Sequence, residues 1–329
     1  QTDVGAGGKV GWEHRNLFHQ GETLSLSLQA SEITYSAGGT FRKPAFLERN
    51  QSLVVDSRIA REEFDAYTSN FYESSILLER VLIERAEADA RPGQTQDETL
   101  SIGAGPALRL AKVKATDEYI GFPIFQDDTF LLLGLRSFLR WNTTDDLLNP
   151  TKGGRLLVEA NPYYEVFNTG PFLKAFASYS HYFRILAEPQ LILANRVAMG
   201  SIVGAERNDI PADVRFYAGG GGSIRGYPFQ KVGPLFRDEP TGGKSILEFS
   251  TEFRLKVTDT FGMVAFLDGG SAFESSYPDF GSDIRLGAGT GIRYFTPVGP
   301  LRLDIAFPLQ RRPDVDSAYQ IYVGIGQAF

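Results

Sequence analysis

Few side chains in this sequence have the type and spacing to do chemistry, and most fall short of a reaction. His14, His19 and His181 offer one i, i+5 pair, with no cysteine and no carboxylate at matching positions, which is not a zinc-ligand set. Gly221-Gly222-Ser223-Ile224 begins like a nucleophile elbow, but Arg225 stands where the closing glycine is needed. Gly242-Gly243-Lys244-Ser245 looks like the end of a phosphate-binding loop, yet the glycine required five residues before Gly243 is Asp238. The quartet Gly219, Gly220, Gly221 and Gly222 has no third glycine at the dinucleotide offset, and neither stretch opens a helix. Glu62, Glu63 and Asp65 read as a solvated strand end. The expectation is a protein that is not an enzyme and carries no metal or cofactor.

What remains is one arginine in an unusual setting. Residues 214–234 read VRFYAGGGGSIRGYPFQKVGP, four glycines followed by Ile224, Arg225, Gly226 and Tyr227. Glycines this dense let a backbone take positive φ and approach a neighbouring surface closely. A solvated linker would favour Ser, Glu and Lys, whereas Ile and Tyr beside the arginine suit a loop tip that tucks into something. The chemistry open to such an arginine is forked, charge-assisted hydrogen bonding to carboxylates.

The elements that position this loop are strands. Period-two alternation recurs from end to end and helical periodicity is scarce. Leu24, Leu26 and Leu28 alternate with Ser25, Ser27 and Gln29. Ile284, Leu286, Ala288, Thr290, Ile292 and Tyr294 share one face, and Arg285, Gly287, Gly289, Gly291 and Arg293 share the other. Leu301, Leu303, Ile305 and Phe307 then oppose Arg302, Asp304 and Ala306. Arg, Asp and Gly on the inner face of a soluble β-domain would bury charge at heavy cost. Inside a wide, wet barrel they cost little, and the apolar face can meet lipid. The pattern predicts an all-β, antiparallel transmembrane barrel forming one domain over 1–329, with no transmembrane helix, because no stretch approaches eighteen apolar residues.

Fifteen strands are expected, at 4–15, 21–31, 32–43, 51–64, 70–82, 98–113, 127–141, 154–167, 171–185, 190–204, 243–257, 261–274, 283–297, 299–309 and 319–329. Residues 205–242 form the longest segment between strands, and a loop of that length usually has a function. Phe64, Tyr67, Phe71 and Tyr72, then Tyr119, Phe122 and Phe125, then Tyr163, Tyr164 and Phe167 gather near strand ends, as aromatic girdles do at membrane interfaces. The last segment, carrying Tyr319, Ile321, Val323, Gly324, Ile325, Gly326 and Phe329, reads as a lipid-facing strand, with Gln327 its one polar outward residue. It resembles the C-terminal assembly signal of bacterial outer-membrane barrels. The 329 residues include no cysteine, which excludes disulfides and thiol catalysis, and a net charge of −7 argues against nucleic acid as a partner.

The loop also carries a family resemblance. Ile224-Arg225-Gly226-Tyr227 matches the [V/I]-R-G-[F/Y] core of the BamA/TamA superfamily of outer-membrane assembly barrels. Phe266-Leu267-Asp268-Gly269-Gly270 resembles the family's F-x-D-x-G motif. Gly11-Trp12 with Arg15-Asn16, the turn Asn149-Pro150-Thr151-Lys152-Gly153, and Pro297-Val298-Gly299-Pro300 resemble further landmarks. Short loops make the chain most similar to the TamA-like branch. The resemblance implies that residues 205–242 fold back into the lumen, where Arg225 pairs with Asp268 and Glu248 is a plausible second partner. Strand parity independently turns Glu248 and Asp268 inward.

For this family the resemblance implies sixteen strands and periplasmic POTRA domains upstream. Ten strands precede the loop here, which places Gln1 outside, and the total is fifteen. The chain is therefore expected to lack the family's first strand and the POTRA domains. The alternative is two strands merged around 82–98, where the charged run 84–89 blurs the pattern. The expected function is insertion and folding of β-barrel proteins and autotransporters in a Gram-negative outer membrane. Clients would add at a weak seam that Gly324 and Gly326 loosen. Outer-membrane lipid, client barrels and a large periplasmic partner anchored in the inner membrane are the implied partners. A two-partner secretion pore, or a passive porin, is the alternative.

Overall fold

The structure is a computed structural model and describes residues 5, 7–85, 98–116, 127–167, 170–281, 284–297 and 299–329. The alternating segments form long antiparallel strands: β1 (Gly7–Arg15), β2 (Thr23–Ser31), β3 (Thr34–Pro44), β4 (Gln51–Glu63), β5 (Tyr67–Arg85), β6 (Glu98–Ala115), β7 (Asp128–Asn142), β8 (Gly153–Glu165), β9 (Gly170–Leu186) and β10 (Leu191–Val203). Two short strands, β11 (Leu235–Phe236) and β12 (Glu239–Pro240), make a small hairpin within the long loop. The wall resumes with β13 (Ser245–Lys256), β14 (Phe261–Phe273), β15 (Arg285–Thr296), β16 (Gly299–Pro308) and β17 (Gln320–Ile325).

Fifteen of these strands form one sheet in chain order, with β10 beside β13 where the loop intervenes. Every strand pairs antiparallel with its neighbour, so hairpins suffice to build it. Among the described residues β1 and β17 are its edges and do not pair with each other. Alternation fixes which face is wet. At the β15–β16 pairing, Ile292 meets Leu303 and Arg293 meets Arg302. Ile292 is 50% exposed on the outside while Arg293 is 1% exposed within. Val10, Leu28, Ile59, Leu135, Val197 and Met263 continue the exposed apolar outer face around the sheet. An apolar face this extensive, with charge held inside, is the arrangement of a barrel in lipid. Among the described residues no helix is long and apolar enough to cross a membrane.

The sheet curves around the loop. Residues between β10 and β13 touch β5 and β6 on one side and β13, β14, β16 and β17 on the other. The main apolar cluster lies where loop meets wall: Ile210, Val214, Phe216, Ile224, Tyr227 and Val232 pack with Leu132, Phe172, Ile202, Ile246 and Ala272. Two 3-10 turns, Arg207–Asp209 and Ala212–Val214, shape the loop's entry.

Three expectations change. β5 and β6 pair directly from Tyr67↔Ala115 to Arg85↔Glu98, so no merged strand stands between them among the described residues; 86–97 lie outside those residues. Tyr67 and Phe71 are not girdle residues: both are buried on the inner face, Tyr67 beneath the loop beside Ala212 and Phe71 against Ala60 and Ala111. Tyr72, Tyr164 and Phe167 do face outward, Tyr163 packs inward on Phe172, and Tyr119, Phe122 and Phe125 fall outside the described residues. The expected strand 319–329 is regular only over Gln320–Ile325. At Gly326 the backbone takes φ +87°, which breaks the alternation, and the residues beyond turn inward. Gln327 therefore bonds Arg293 and Asn149, and Phe329 stacks on Tyr182, in place of an outward polar residue and a lipid-facing aromatic.

Candidate functional site: a loop arginine in a carboxylate cage

Arg225 lies at the bottom of the loop and is 2% exposed. Its Nε donates to Asp268 Oδ2 at 2.6 Å and its Nη2 to Asp268 Oδ1 at 3.0 Å, a two-point fork against one carboxylate of β14. The Arg225 backbone N–H donates to the same Oδ2 at 3.2 Å. Nη1 donates to Glu252 of β13 at 2.9 Å and to Asp304 of β16 at 3.3 Å. The guanidinium carbon stands 3.4 Å from the centroid of the Phe266 ring, so the motif's aromatic residue supplies a π face beneath the cation. Burial opposes the charge on Arg225, but Asp268 foremost, with Glu252 and Asp304, outweighs it and raises its pKa above the ordinary arginine value. The side chain stays a cation throughout.

The cage is assembled by strand parity. Glu252 and Asp268 sit on neighbouring strands whose inward positions alternate, and Asp304 arrives from two strands further on. Further cations balance these acids: Arg254 Nε donates to Glu252 at 2.7 Å, and Arg293 Nη1 donates to Asp304 at 2.5 Å. Ser250 also donates to Asp268. A buried network of this kind gains little net stability over an apolar core, but breaking it by removing one member is costly. Its effect is to specify where the loop sits.

Glu248 does not take the second-partner position. It accepts from Ser223 of the loop and from Arg196 of β10 at 3.1 Å, so it holds the loop one residue pair away from the arginine. Glu252 and Asp304 occupy the place expected of it. Both carry inward parity in the sequence, and only the depth of the loop decides which acid the arginine reaches.

The rest of the motif closes around the arginine. Ile224 and Tyr227 are buried, and Tyr227 Oη donates to the Leu286 carbonyl of β15 at 2.9 Å. Gly226, at φ +99°, donates its N–H to Tyr322 Oη of β17 at 3.0 Å. Gly221 approaches the Tyr322 ring, Gly219 and Gly220 are buried with positive φ, and Gly222 is exposed at the turn. Gly270 lies against the Leu247 carbonyl of β13. Ile321, Val323 and Ile325 of β17 face outward, as does Tyr319 just before it.

A second anchor went unread in the sequence. Asp213, in the turn that opens the loop, accepts from Arg109 Nη2 of β6 at 2.6 Å and from Ser69 Oγ of β5 at 2.7 Å. Lys174 of β9 donates to the Val214 carbonyl at 2.6 Å. Inward parity marks Arg109 and Lys174, but nothing local singles out Asp213. Beside this anchor the lumen keeps a cavity of about 810 Å³, lined by Lys9, Arg58, Glu73, Arg136 and Glu159 among others. Among the described residues no group of His, Cys, Asp and Glu is placed to hold a metal ion.

Comparison with known proteins agrees with this geometry. The Omp85 superfamily domain matches residues 16–329. The chain is 26% identical over 324 residues to the outer membrane protein assembly factor BamA of Nitratidesulfovibrio vulgaris, covering 91% of this chain and 37% of that protein. It is 24% identical over 376 residues to the factor of the same name from Neisseria meningitidis serogroup B, covering 99% of this chain and 46% of the relative. The chain thus spans less than half the length of either relative. In fold it resembles BamA from Haemophilus ducreyi lacking POTRA domains 1–3, with a TM-score of 0.74 at 16% identity, over 97% of this chain and 67% of the other. It also resembles CdiB from Escherichia coli, with a TM-score of 0.64 at 14% identity, over 98% and 60% of the two chains.

Proposed function

The chain belongs to the Omp85 superfamily of outer-membrane β-barrel proteins, and from that premise we propose that it inserts and folds client β-barrel proteins in the outer membrane. The observation that carries this reading is the tie between the caged loop and β17, the six-residue strand that ends the sheet in chain order. Where a barrel opens beside its last strand, that strand offers N–H and C=O groups onto which a client strand can add. The caged arginine gives that strand a fixed support: Gly226 and Tyr322 link the loop directly to β17. The client's own strand pairing and burial supply the driving force. Clients of this reading include autotransporters, and upstream domains of the whole protein would engage a periplasmic partner anchored in the inner membrane. Its short loops and compact barrel group the chain with the TamA-like branch.

The lumen cavity favours one second reading, a conduit that passes an unfolded polypeptide. For that the loop would have to leave, against both of its anchors. Reconstitution of the whole protein in liposomes separates the two. Acceleration of the folding of a urea-denatured barrel client, read by protease protection, supports insertion. Passage of a polypeptide into the vesicle interior, with no acceleration of folding, overturns it.

A further inference from the structure

We propose that the outer wall over β2–β6 carries a binding site for an anionic, phosphate-bearing lipid. Its acyl chain lies in a trough along β3, and its headgroup sits on Arg61, Lys112 and Lys114. The site needs only the lipid-facing outer wall and stands apart from where a client strand adds.

The trough follows from side-chain size. The outward positions of β3 are small at Ala37 and Gly39, with Leu28 and Leu26 of β2 opposite them on one side and Ile59 of β4 opposite Ala37 on the other. Leu28 is 64% exposed and Ile59 61%, so both stand up from the wall as ridges. The groove between them has a volume of about 800 Å³ and reaches Arg61 and Asn70. A second groove of about 610 Å³ shares Val10, Leu28, Ala37 and Ile59 with the first and continues it to Trp12. Hydroxyls that enter this deeper part are satisfied within the wall, since Ser57 Oγ and Ser74 Oγ stand 2.9 Å apart. What the trough offers is apolar surface shaped for a flexible run of methylenes, on a face that already meets lipid.

The mouth of the trough is basic. Arg61, Asn70 and Lys112 lie opposite one another across β4, β5 and β6, all exposed. Lys114 shares the outward face of β6, about 7 Å further along the strand. Before them on that face stand Leu108 and Leu110, both exposed, so the charges begin where the hydrocarbon contact ends. Arg61 pairs with Glu63 of its own strand, but Lys112 and Lys114 form no ion pair among the described residues. β4, β6 and β10 run the same way, so this mouth lies on the side of the membrane from which the long loop starts. Two ammonium groups at headgroup level attract an anion, and a phosphate has oxygens for both. Free phosphate would leave the trough empty, and an uncharged lipid would leave the lysines unmatched. An anionic lipid satisfies both.

The test uses the whole protein in nanodiscs that mix phosphatidylglycerol with phosphatidylcholine, with brominated chains on one lipid at a time. Bromine quenches a tryptophan that it touches. Trp12 reports the deep end of the trough, as the difference between the protein and its Trp12→Phe variant. Phosphatidylglycerol is expected to be preferred there, with each lysine contributing about fivefold. Lys112→Gln together with Lys114→Gln should abolish the preference, and high salt should weaken it. Ala37→Phe fills the trough without touching a charge and should abolish it as well. Gly39→Leu is a second filling variant, because a Cβ there would lie 3.1 Å from a Leu26 methyl that can yield. Equal quenching by the two lipids in the unaltered protein, or none, overturns the proposal. So does a preference that survives both filling variants, since general attraction to a basic rim would then suffice. If inorganic phosphate removes the preference while salt of equal ionic strength does not, the ligand is free phosphate and the lipid site is overturned.

Discussion

Asp213 and Arg109 meet at 2.6 Å on a wall of the barrel well removed from β13 and β14, where Arg225 is held. The loop presents an acid to one side and a base to the other. Each finds its opposite on inward-facing strand positions, and both carboxylates, Asp213 and Asp268, are fully buried as side chains. Two anchors of reversed polarity make the loop a strut across the lumen. A loop with one anchor could pivot; with two it cannot do so without breaking a buried charge pair.

Removal of Arg225 should therefore do more than free a loop tip. Arg225→Ala leaves Asp268, Glu252 and Asp304 without their shared cation, a loss of about 3–5 kcal/mol of loop seating. Arg225→Lys keeps the charge but not the fork on Asp268, so it should be intermediate. Asp268→Ala should match Arg225→Ala, and the double variant should be no worse than either, since the pair acts as one unit. Autotransporter insertion and heat-dependent gel mobility check this; strictly additive losses would break the unit apart.

The second anchor predicts a separate phenotype. Asp213→Asn keeps shape and leaves Arg109 with Glu73 at 2.6 Å, so the cost should be modest, about 1–3 kcal/mol. Limited proteolysis should then cut first near 205–215, while the segment around Arg225 stays protected. Arg225→Ala should show the reverse order of cleavage.

The close approach at Gly287 gives a test free of charge effects. A Cβ there would collide with the Arg225 backbone carbonyl, a group that cannot swing aside. Gly287→Ala should unseat the arginine while leaving the β15 pairing to β14 and β16 intact. Amide exchange should rise across 219–227 and stay slow in β15. Unchanged exchange at 219–227 would show that the loop sits higher in the lumen.

These residues also show what was legible beforehand and why. The glycine row on the inner face of β15 and the inward acids of β13, β14 and β16 could be read from period-two alternation, because a strand's parity is a local property. The Arg225–Asp268 pair was legible too, since a motif ties the two together. Glu252 escaped because it shares its face with Glu248, four residues away, and loop depth is not local. Asp213 escaped because its partner is a hundred residues distant. Tyr67 and Phe71 misled because an aromatic residue at a strand end reads alike whether lipid or loop covers it.

The link from loop to last strand should be tunable. Tyr322 Oη accepts from Gly226 N–H at 3.0 Å and donates to the Tyr227 carbonyl at 3.3 Å. Tyr322→Phe leaves both buried groups without that partner, about 1–3 kcal/mol each. Amides of 320–325 should exchange faster, and client insertion should change with them. Faster exchange at β17 with insertion unaltered would separate the loop from the edge.

The inward turn after Gly326 can be settled by chemistry at two half-buried positions. Gln327 Nε2 donates to Asn149 Oδ1 at 2.8 Å, although these residues stand on the last segment and on the β7–β8 connection. The alternation alone would instead point residue 327 to lipid. With Asn149→Cys and Gln327→Cys, a short thiol-reactive cross-linker should join the two in intact outer membranes, and the chain has no other cysteine to confuse the gel shift. Replacing Gly326 with Val should reduce the yield several-fold, since φ +87° is strained for a β-branched residue and the strand would run on outward. Cross-linking that survives this change would mean that Arg293 and Arg254, which hold Gln327 and the Phe329 carbonyl, draw the segment inward without help from the glycine.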